Sequence, residues 1–142
     1  MIYTDQTKKA LKLCFDAHKN QVDKSGMPYV FHLFHLAEQM ETEETIIVAL
    51  LHDIIEDTEY TIEDLIKEGF DKTVVDAVKL LTHADGVDYM QYIAAIKQNP
   101  IAKAVKLADL RHNSNISRLD VIDEKAYERR RKYLEALEFL EK

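Results

Sequence analysis

The sequence predicts an all-α protein folded as a compact multi-helix bundle. Apolar residues make up 46% and charged residues 32% of the 142 residues, which is the balance of a folded globular protein. Only three glycines and two prolines interrupt the chain, which favours helices over a turn-rich β fold. Apolar positions recur mostly three and four residues apart. No linker or repeat divides the chain, so residues 1–142 are predicted to form one domain.

The first half of the chain predicts three helices, over residues 4–20, 29–40 and 42–56. One apolar stripe identifies the first helix: Ala10, Leu13, Cys14 and Ala17. The polar segment QVDKSGMP, with its turn-forming Ser, Gly and Pro, separates the first helix from the second. The third helix contains IIVALLHDII, which is apolar on nearly all sides, and such a helix is expected at the centre of a bundle.

Capping signals define the helices of the second half. Thr61 begins an N-terminal capping pattern, and Gly69 is placed to end that short helix. A helix over 71–81 follows, and then a short loop over 82–87. Asp88 can cap a helix that stops before residue 99, and Pro100 suits the first turn of a helix running to about residue 118. Asp123 can cap the last helix, which continues to the C-terminus.

The net charge and the cysteine content limit the classes of partner and the cellular compartment that we expect for this protein. The formal net charge of −7 disfavours a nucleic-acid polymer as partner, because such polymers bind basic surfaces. An anionic small molecule would need a local basic pocket. Cys14 is the only cysteine, so no internal disulfide is possible and a reducing compartment is indicated. With no signal peptide or membrane-spanning apolar run, we expect a cytoplasmic protein that does not contact a membrane.

The pair His52-Asp53 is the strongest anomaly, because it interrupts an apolar run. An unpaired carboxylate there would be costly, and a metal ion beside an imidazole would supply the missing cation. On a continuous helix, Glu56 would lie under His52 and Asp57 under Asp53. The residues alone leave two interpretations open, since a buried His with an Asp partner is also a common structural pair.

Two further groups of polar residues lie on apolar helices. Lys106, Asp109 and Asn113 are spaced to share one helix face, although a Lys-Asp pair is more often an ordinary surface pair. His32 and His35 occupy another apolar helix, where a lone histidine is usually a hydrogen-bonded core residue.

Taken together, two histidines and two aspartates on three helices predict a mononuclear site for a divalent metal ion. Because none of these residues is a cysteine, a structural zinc site of the zinc-finger type is not expected. Such a site can activate a water molecule and hold a phosphate oxygen.

Three motifs follow one another along the chain: KSGMPYVFH over 24–32, ALLHDIIEDT over 49–58 and VKLAD over 105–109. With these motifs the chain resembles the HD superfamily of metal-dependent phosphohydrolases. It is most similar to the ppGpp hydrolase domain of RelA/SpoT-type proteins and to their stand-alone small relatives. The resemblance covers nearly the whole chain, and it implies an HD-domain bundle and a place in the stringent response.

The resemblance also implies roles for individual residues. Implied metal ligands, with Mn²⁺ as the usual ion, are His32, His52, Asp53 and Asp109. Glu56 and Asp57 match the catalytic carboxylates. The positions matching nucleotide contacts are Lys24, Ser25, Asn113 and Arg129. A basic pocket would be completed by Lys106 and Arg111. His35 matches no ligand position, so it is interpreted as a core residue.

The implied reaction is hydrolysis of ppGpp to GDP and pyrophosphate. Four departures from the family pattern are Leu33 for a common proline, Asp23 for a common arginine, the exchanged order of Leu110 and Arg111, and the short loop after residue 81. Three of them fall near the implied nucleotide. Two alternatives therefore stay open: hydrolysis of another nucleotide or small phosphate ester, and a metal- or nucleotide-binding module without turnover.

Overall fold

The computed structural model describes all 142 residues and confirms the all-α prediction. It contains nine α-helices and one short 3₁₀-helix: α1 Asp5–His18, α2 Val30–Glu38, α3 Glu43–Leu51, α4 Ile54–Asp57, α5 Ile62–Lys67, α6 Lys72–Leu81, α7 Tyr89–Lys97, α8 Pro100–Asn113, the 3₁₀-helix Ile116–Arg118, and α9 Glu124–Glu141. There is no β-sheet, only an isolated bridge between Val22 and Pro28. None of the helices combines the length and the apolar character needed to cross a bilayer.

Helix α3 lies at the centre of the bundle, as its all-round apolar character predicts. Every residue from Ile46 to Leu51 is buried. The helix packs against α1, α2, α6 and α8, so only its first turn is partly exposed. Thr42 begins it with a capping box, in which its side chain accepts from the amide of Thr45.

The predicted continuous helix over 42–56 is wrong, because the helix breaks at His52-Asp53. Helix α3 ends at Leu51, and α4 resumes at Ile54. Asp53 has φ −100° and ψ 0°, in the sparsely populated bridge region where active-site residues are often found. The pair therefore lies in a backbone break, and the expected stacking of Glu56 under His52 on one helix does not apply.

The capping predictions are confirmed. The side chains of Thr61, Asp88 and Asp123 each accept from a backbone amide in the first turn of the following helix. Gly69 has a φ of +86°, a left-handed conformation that favours glycine and ends α5. Pro100 occupies the first turn of α8. The prediction that this helix reaches residue 118 is wrong, since it ends at Asn113 and the chain then turns through the 3₁₀-helix.

Candidate functional site

Three buried side chains from different parts of the chain meet at the centre of the bundle. His32 comes from α2, His52 follows the end of α3, and Asp109 comes from α8. One potential ligand atom of each lies within 4.8 Å of those of the other two. Asp109 Oδ1 is 3.0 Å from His32 Nε2 and 3.5 Å from His52 Nε2. This arrangement of two imidazoles and a carboxylate matches the donor set of a divalent metal site.

Asp53 lies next to His52, on the side of the cluster that faces the cavity of about 260 Å³. Its Oδ2 is 3.2 Å from His52 Nε2, and the same oxygen accepts a hydrogen bond from the hydroxyl of Tyr29. The Asp53 side chain is 16% exposed, against 2% for His52, so it borders the cavity outside the cluster. Tyr29 therefore orients a carboxylate that the motifs identify, although its own role was not predicted.

His52 provides the test of whether a metal fits. Its Nδ1 is 2.8 Å from the carbonyl oxygen of Ala49, which leaves Nε2 without a proton in a neutral ring. Nε2 is buried, has no hydrogen-bond partner and faces the carboxylates of Asp53 and Asp109. Burial lowers the pKa of His52, but those two charges outweigh it and raise the pKa to about 9. The cluster thus attracts positive charge, and its residues fit a divalent cation.

Asp109 is held by neighbours from its own helix. Lys106 Nζ is 3.1 Å from Asp109 Oδ2, and Asn113 Nδ2 donates to Asp109 Oδ1 over 3.1 Å. The Lys106 and Asp109 side chains are only 12% and 8% exposed, so the ordinary surface pair is not what the structure contains. Burial alone would raise the pKa of Asp109, but the Lys106 ammonium holds it well below its usual range. Asp109 is therefore a carboxylate, as a metal ligand must be.

His32 has a histidine as its second partner. Its Nδ1 lies 2.6 Å from Nδ1 of His112, which follows Asp109 by three residues on α8. Burial, with the nearby Arg118 charge, lowers the pKa of His112 to about 4, so this ring is neutral at pH 7. The interpretation of His35 as a core residue is wrong: His35 is exposed, and its ring lies against that of His112 at a centroid distance of 4.2 Å.

Glu56 and Asp57 line a cavity of about 260 Å³ together with Asp53 and Asp109. The backbone amide of His83 donates to Glu56 Oε1, which anchors that carboxylate to the loop after α6. Burial, followed by the charges of Asp53 and Glu56, raises the pKa of Asp57 to about 6. A carboxyl group with this pKa can exchange a proton near neutral pH.

A second cavity of about 530 Å³ adjoins the first. Four residues line both: Tyr29, Asp57, Asn113 and Tyr133. Of the residues matched to nucleotide contacts, Lys24, Ser25 and Arg129 also line the larger cavity. Lys106 lines the smaller one. The structure therefore brings these side chains around one continuous depression beside the His-Asp cluster.

Arg111 does not belong to this pocket, so its prediction as a basic pocket residue is wrong. It forms an ion pair with Glu141 at 3.0 Å and lines a separate cavity. Arg118, five residues beyond the end of α8, lines the larger cavity. Arg118 Nη1 donates to Asn113 Oδ1 over 3.2 Å, and Nη2 lies 3.8 Å from Asp23 Oδ2.

An HD domain family model matches residues 10–137 of this chain. The chain belongs to the HD domain family. The curated relatives of this HD domain include a probable GTP pyrophosphokinase from Mycobacterium leprae, 34% identical over 122 residues, and the bifunctional (p)ppGpp synthase/hydrolase SpoT of Escherichia coli K12, 34% identical over 127 residues. These matches cover 78% and 77% of this chain but only 16% and 18% of the relatives, so the chain spans a small part of their length.

A third relative is a guanosine-3′,5′-bis(diphosphate) 3′-pyrophosphohydrolase from Aquifex aeolicus, which is 33% identical over 119 residues. The match covers 75% of this chain and 17% of the relative. Among solved structures, a metazoan ortholog of SpoT that hydrolyses ppGpp matches with a TM-score of 0.77 and 20% identity. That match covers 99% of this chain and 87% of the other, which shows a shared fold.

Several side chains of this HD domain site were not predicted from the sequence. The sequence predicted that α8 would continue to Arg118. Because the helix instead ends at Asn113 and a 3₁₀-helix follows, Arg118 reaches the larger cavity, which the pattern did not indicate. His83 and Lys132 also line the smaller cavity. The His83 ring stacks on Tyr92 at 4.5 Å, and Lys132 Nζ lies 4.1 Å above the Tyr89 ring. No spacing rule connects such distant positions, although the three-residue interval from Asp109 could have indicated His112.

Proposed function

We propose that this chain is a metal-dependent phosphohydrolase that cleaves ppGpp to GDP and pyrophosphate. The observation that carries the proposal is the position of Asp57, which lines both cavities and lies with Glu56 beside the His-Asp cluster. A substrate bound across the two cavities would present a phosphoryl group to the cluster and to both carboxylates. The names of the SpoT and pyrophosphohydrolase relatives support ppGpp as the substrate.

The metal ion of the proposed site is Mn²⁺, the ion implied by the family resemblance. His32, His52, Asp53 and Asp109 would hold it, which fits the unpartnered Nε2 of His52. When bound, a divalent cation lowers the pKa of a water molecule and withdraws charge from a phosphate oxygen.

Glu56 and Asp57 would move the protons of the reaction. The water oxygen attacks the phosphorus bonded to the ribose 3′ oxygen and forms a new bond to it. The bond between this phosphorus and the 3′ oxygen breaks, so GDP departs through its 3′ oxygen and the pyrophosphate keeps the water oxygen. Glu56, fixed by the amide of His83, orients the water and accepts its proton. Asp57, with its pKa near 6, assists and returns a proton to the 3′ oxygen.

Nucleotide binding would depend on the basic side chains around the two cavities. Lys24 and Arg129 have no ion-pair partner in the structure, so their charges are available to phosphate groups. Ser25 and Asn113 line the same cavity and offer a hydroxyl and an amide. Lys106 lines the smaller cavity, where its ammonium is paired with Asp109. The unpaired charges of Lys24 and Arg129 would form the local basic pocket that an anionic substrate needs in a protein with a net charge of −7.

The direct test is release of pyrophosphate from ppGpp by the purified protein, with and without Mn²⁺. We expect stoichiometric GDP and pyrophosphate with Mn²⁺, and none with the Asp53→Ala variant. Intact ppGpp in every reaction would contradict the proposed substrate.

A second candidate substrate is another nucleotide, and Asp23 is the observation that favours it. Asp23 lines the larger cavity and pairs with Arg118, at the position where the family commonly has an arginine. Cleavage of other nucleotides or phosphate esters, with ppGpp untouched, would support this candidate. A module without turnover is disfavoured because both Glu56 and Asp57 are present. Tight ppGpp binding without product would support it.

We further propose that residues 1–142 act as one HD phosphohydrolase domain in the cytoplasm. Its partners would be a small nucleotide substrate rather than a nucleic-acid polymer. The family model over residues 10–137 supports the single domain, and the single buried cysteine supports a reducing compartment. Fractionation of cells expressing the tagged chain would test the location.

A further inference from the structure

The two histidines of the cluster differ in what holds their outer nitrogen. His52 Nδ1 is 2.8 Å from the backbone carbonyl oxygen of Ala49, inside the same helical segment. His32 Nδ1 is instead 2.6 Å from a side-chain nitrogen, Nδ1 of His112 on a different helix. The ring planes of His32 and His112 are within 9° of each other. The orientation of one ring thus depends on the backbone, and that of the other on a replaceable side chain.

The protonation of an imidazole decides whether it can bind a metal. A neutral ring that binds a cation through Nε2 carries its proton on Nδ1, and that proton needs an acceptor when the ring is buried. His32 is 3% exposed, and the only hydrogen-bond partner of its Nδ1 is His112. A bare Nδ1 on His112 would accept this proton and leave His32 Nε2 free, facing Asp109 at 3.0 Å.

Two neighbouring residues contact His112, one at its backbone and one at its ring. It follows Asp109 by three residues on α8, so the same helix supplies a candidate ligand and the partner of another. Arg118 Nη1 donates to the His112 carbonyl oxygen over 3.0 Å. The His35 ring covers the outer side of His112 but makes no hydrogen bond to His32. His112 is therefore held in place, and His35 provides a natural control.

We infer that His112 is a positioning residue of the metal centre, whose Nδ1 accepts the Nδ1 proton of His32 and so fixes the ring in the form that binds a cation through Nε2. This inference rests on the proposed metal site. It predicts that His112 affects the affinity for the metal more than the affinity for the nucleotide, because it contacts neither the cation nor the two cavities beside Asp57.

The test measures Mn²⁺ binding to the metal-free protein by electron paramagnetic resonance of the free ion, with circular dichroism to verify folding. His112→Phe removes the acceptor and keeps an aromatic ring, while His112→Gln retains an acceptor. His35→Phe is the matched control on the neighbouring ring. We expect Mn²⁺ affinity to fall about 10- to 100-fold in His112→Phe, as for other residues that support a metal ligand. We expect it to recover largely in His112→Gln and to be unchanged in His35→Phe.

The possible outcomes separate the inference from the proposed function. If the wild-type protein binds no Mn²⁺, the proposed metal site fails. If the wild type binds Mn²⁺ and His112→Phe binds it equally well, or Gln does no better than Phe, the role of His112 is overturned. At saturating Mn²⁺, the KM for ppGpp should stay near the wild-type value in His112→Phe, and a large rise in KM would instead indicate a nucleotide contact.

A second measurement does not depend on the folding of any variant. In the wild-type protein loaded with diamagnetic Zn²⁺, nitrogen NMR of the imidazoles should show a proton on His32 Nδ1 and none on His112 Nδ1. The reverse assignment would overturn the inference.

Discussion

The His-Asp cluster and the larger cavity beside it are built in different ways. The cluster consists of buried side chains, each contacted by a further partner: His52 by Ala49, His32 by His112, and Asp109 by Lys106. The larger cavity is open to solvent, and some of its lining side chains, such as that of Lys24, are exposed and have no ion-pair partner. We infer that the His-Asp cluster is strongly preorganised, whereas nucleotide binding depends on a few exposed groups. The following predictions test that difference.

Removing a carboxylate of the cluster should have the largest effect. Asp53→Ala deletes a candidate ligand and the acceptor of the Tyr29 hydroxyl, so we expect pyrophosphate release to fall to the level without metal. The matched control is Asp76→Ala, which removes an exposed carboxylate paired with Lys72 on α6. Equal loss in both variants would show a general effect on folding and would contradict a specific role of Asp53.

Glu56→Gln should come next, because it keeps the shape of the side chain but removes its ability to take a proton. We expect kcat to fall roughly 10²- to 10⁴-fold, the usual contribution of a general base or acid. Mn²⁺ affinity should be close to that of the wild type. Steady-state kinetics and a metal-binding titration check both statements, with the exposed Glu59→Gln as control. A rate near the wild-type value would remove Glu56 from the mechanism.

Arg129→Ala should act on the nucleotide rather than on the metal. Because hydrogen bonds to charged groups contribute about 1.5–3 kcal/mol, we expect KM for ppGpp to rise about 10-fold or more, with a smaller change in kcat. Arg131→Ala is the matched control, since that side chain is exposed two positions along α9. A loss of Mn²⁺ affinity in Arg129→Ala would contradict the separation of the two regions.

The smallest predicted effect concerns stability and pH. The pKa of Asp57 is raised from 3.8 to about 6 by burial and by Asp53 and Glu56. The folded protein therefore binds this proton more tightly than the unfolded chain, and its stability decreases as the pH rises through this interval. In metal-free protein, Asp57→Asn should raise the melting temperature at pH 7.5 and have little effect near pH 4. Melting curves that show the opposite dependence would exclude the raised pKa.

Local rules predicted the fold better than they predicted the site. The caps at Thr61, Asp88 and Asp123 depend only on neighbouring residues, so the pattern identified them. The break at His52-Asp53 was missed because helix periodicity continues across it, while the backbone there adopts a bridge-region conformation. The contact of His112 with His32 joins residues 80 positions apart, which no spacing rule can reveal.

Arg111 and Arg118 illustrate the same limit. Both are basic residues close to the third motif, but Arg111 pairs with Glu141, whereas the turn after α8 brings Arg118 to Asp23 and the larger cavity. Which of the two reaches the pocket depends on the helix ending at Asn113, five residues before the predicted end. The candidate metal ligands could be proposed from the sequence because each of them is a residue within one of the three motifs.

The most direct test of the metal centre is anomalous X-ray scattering from crystals soaked in Mn²⁺. If the proposed metal centre is correct, we expect a single Mn²⁺ peak bounded by His32 Nε2, His52 Nε2 and the carboxylates of Asp53 and Asp109. No peak at this position, or a peak outside the cluster with none inside it, would contradict the metal centre and the phosphohydrolase mechanism built on it.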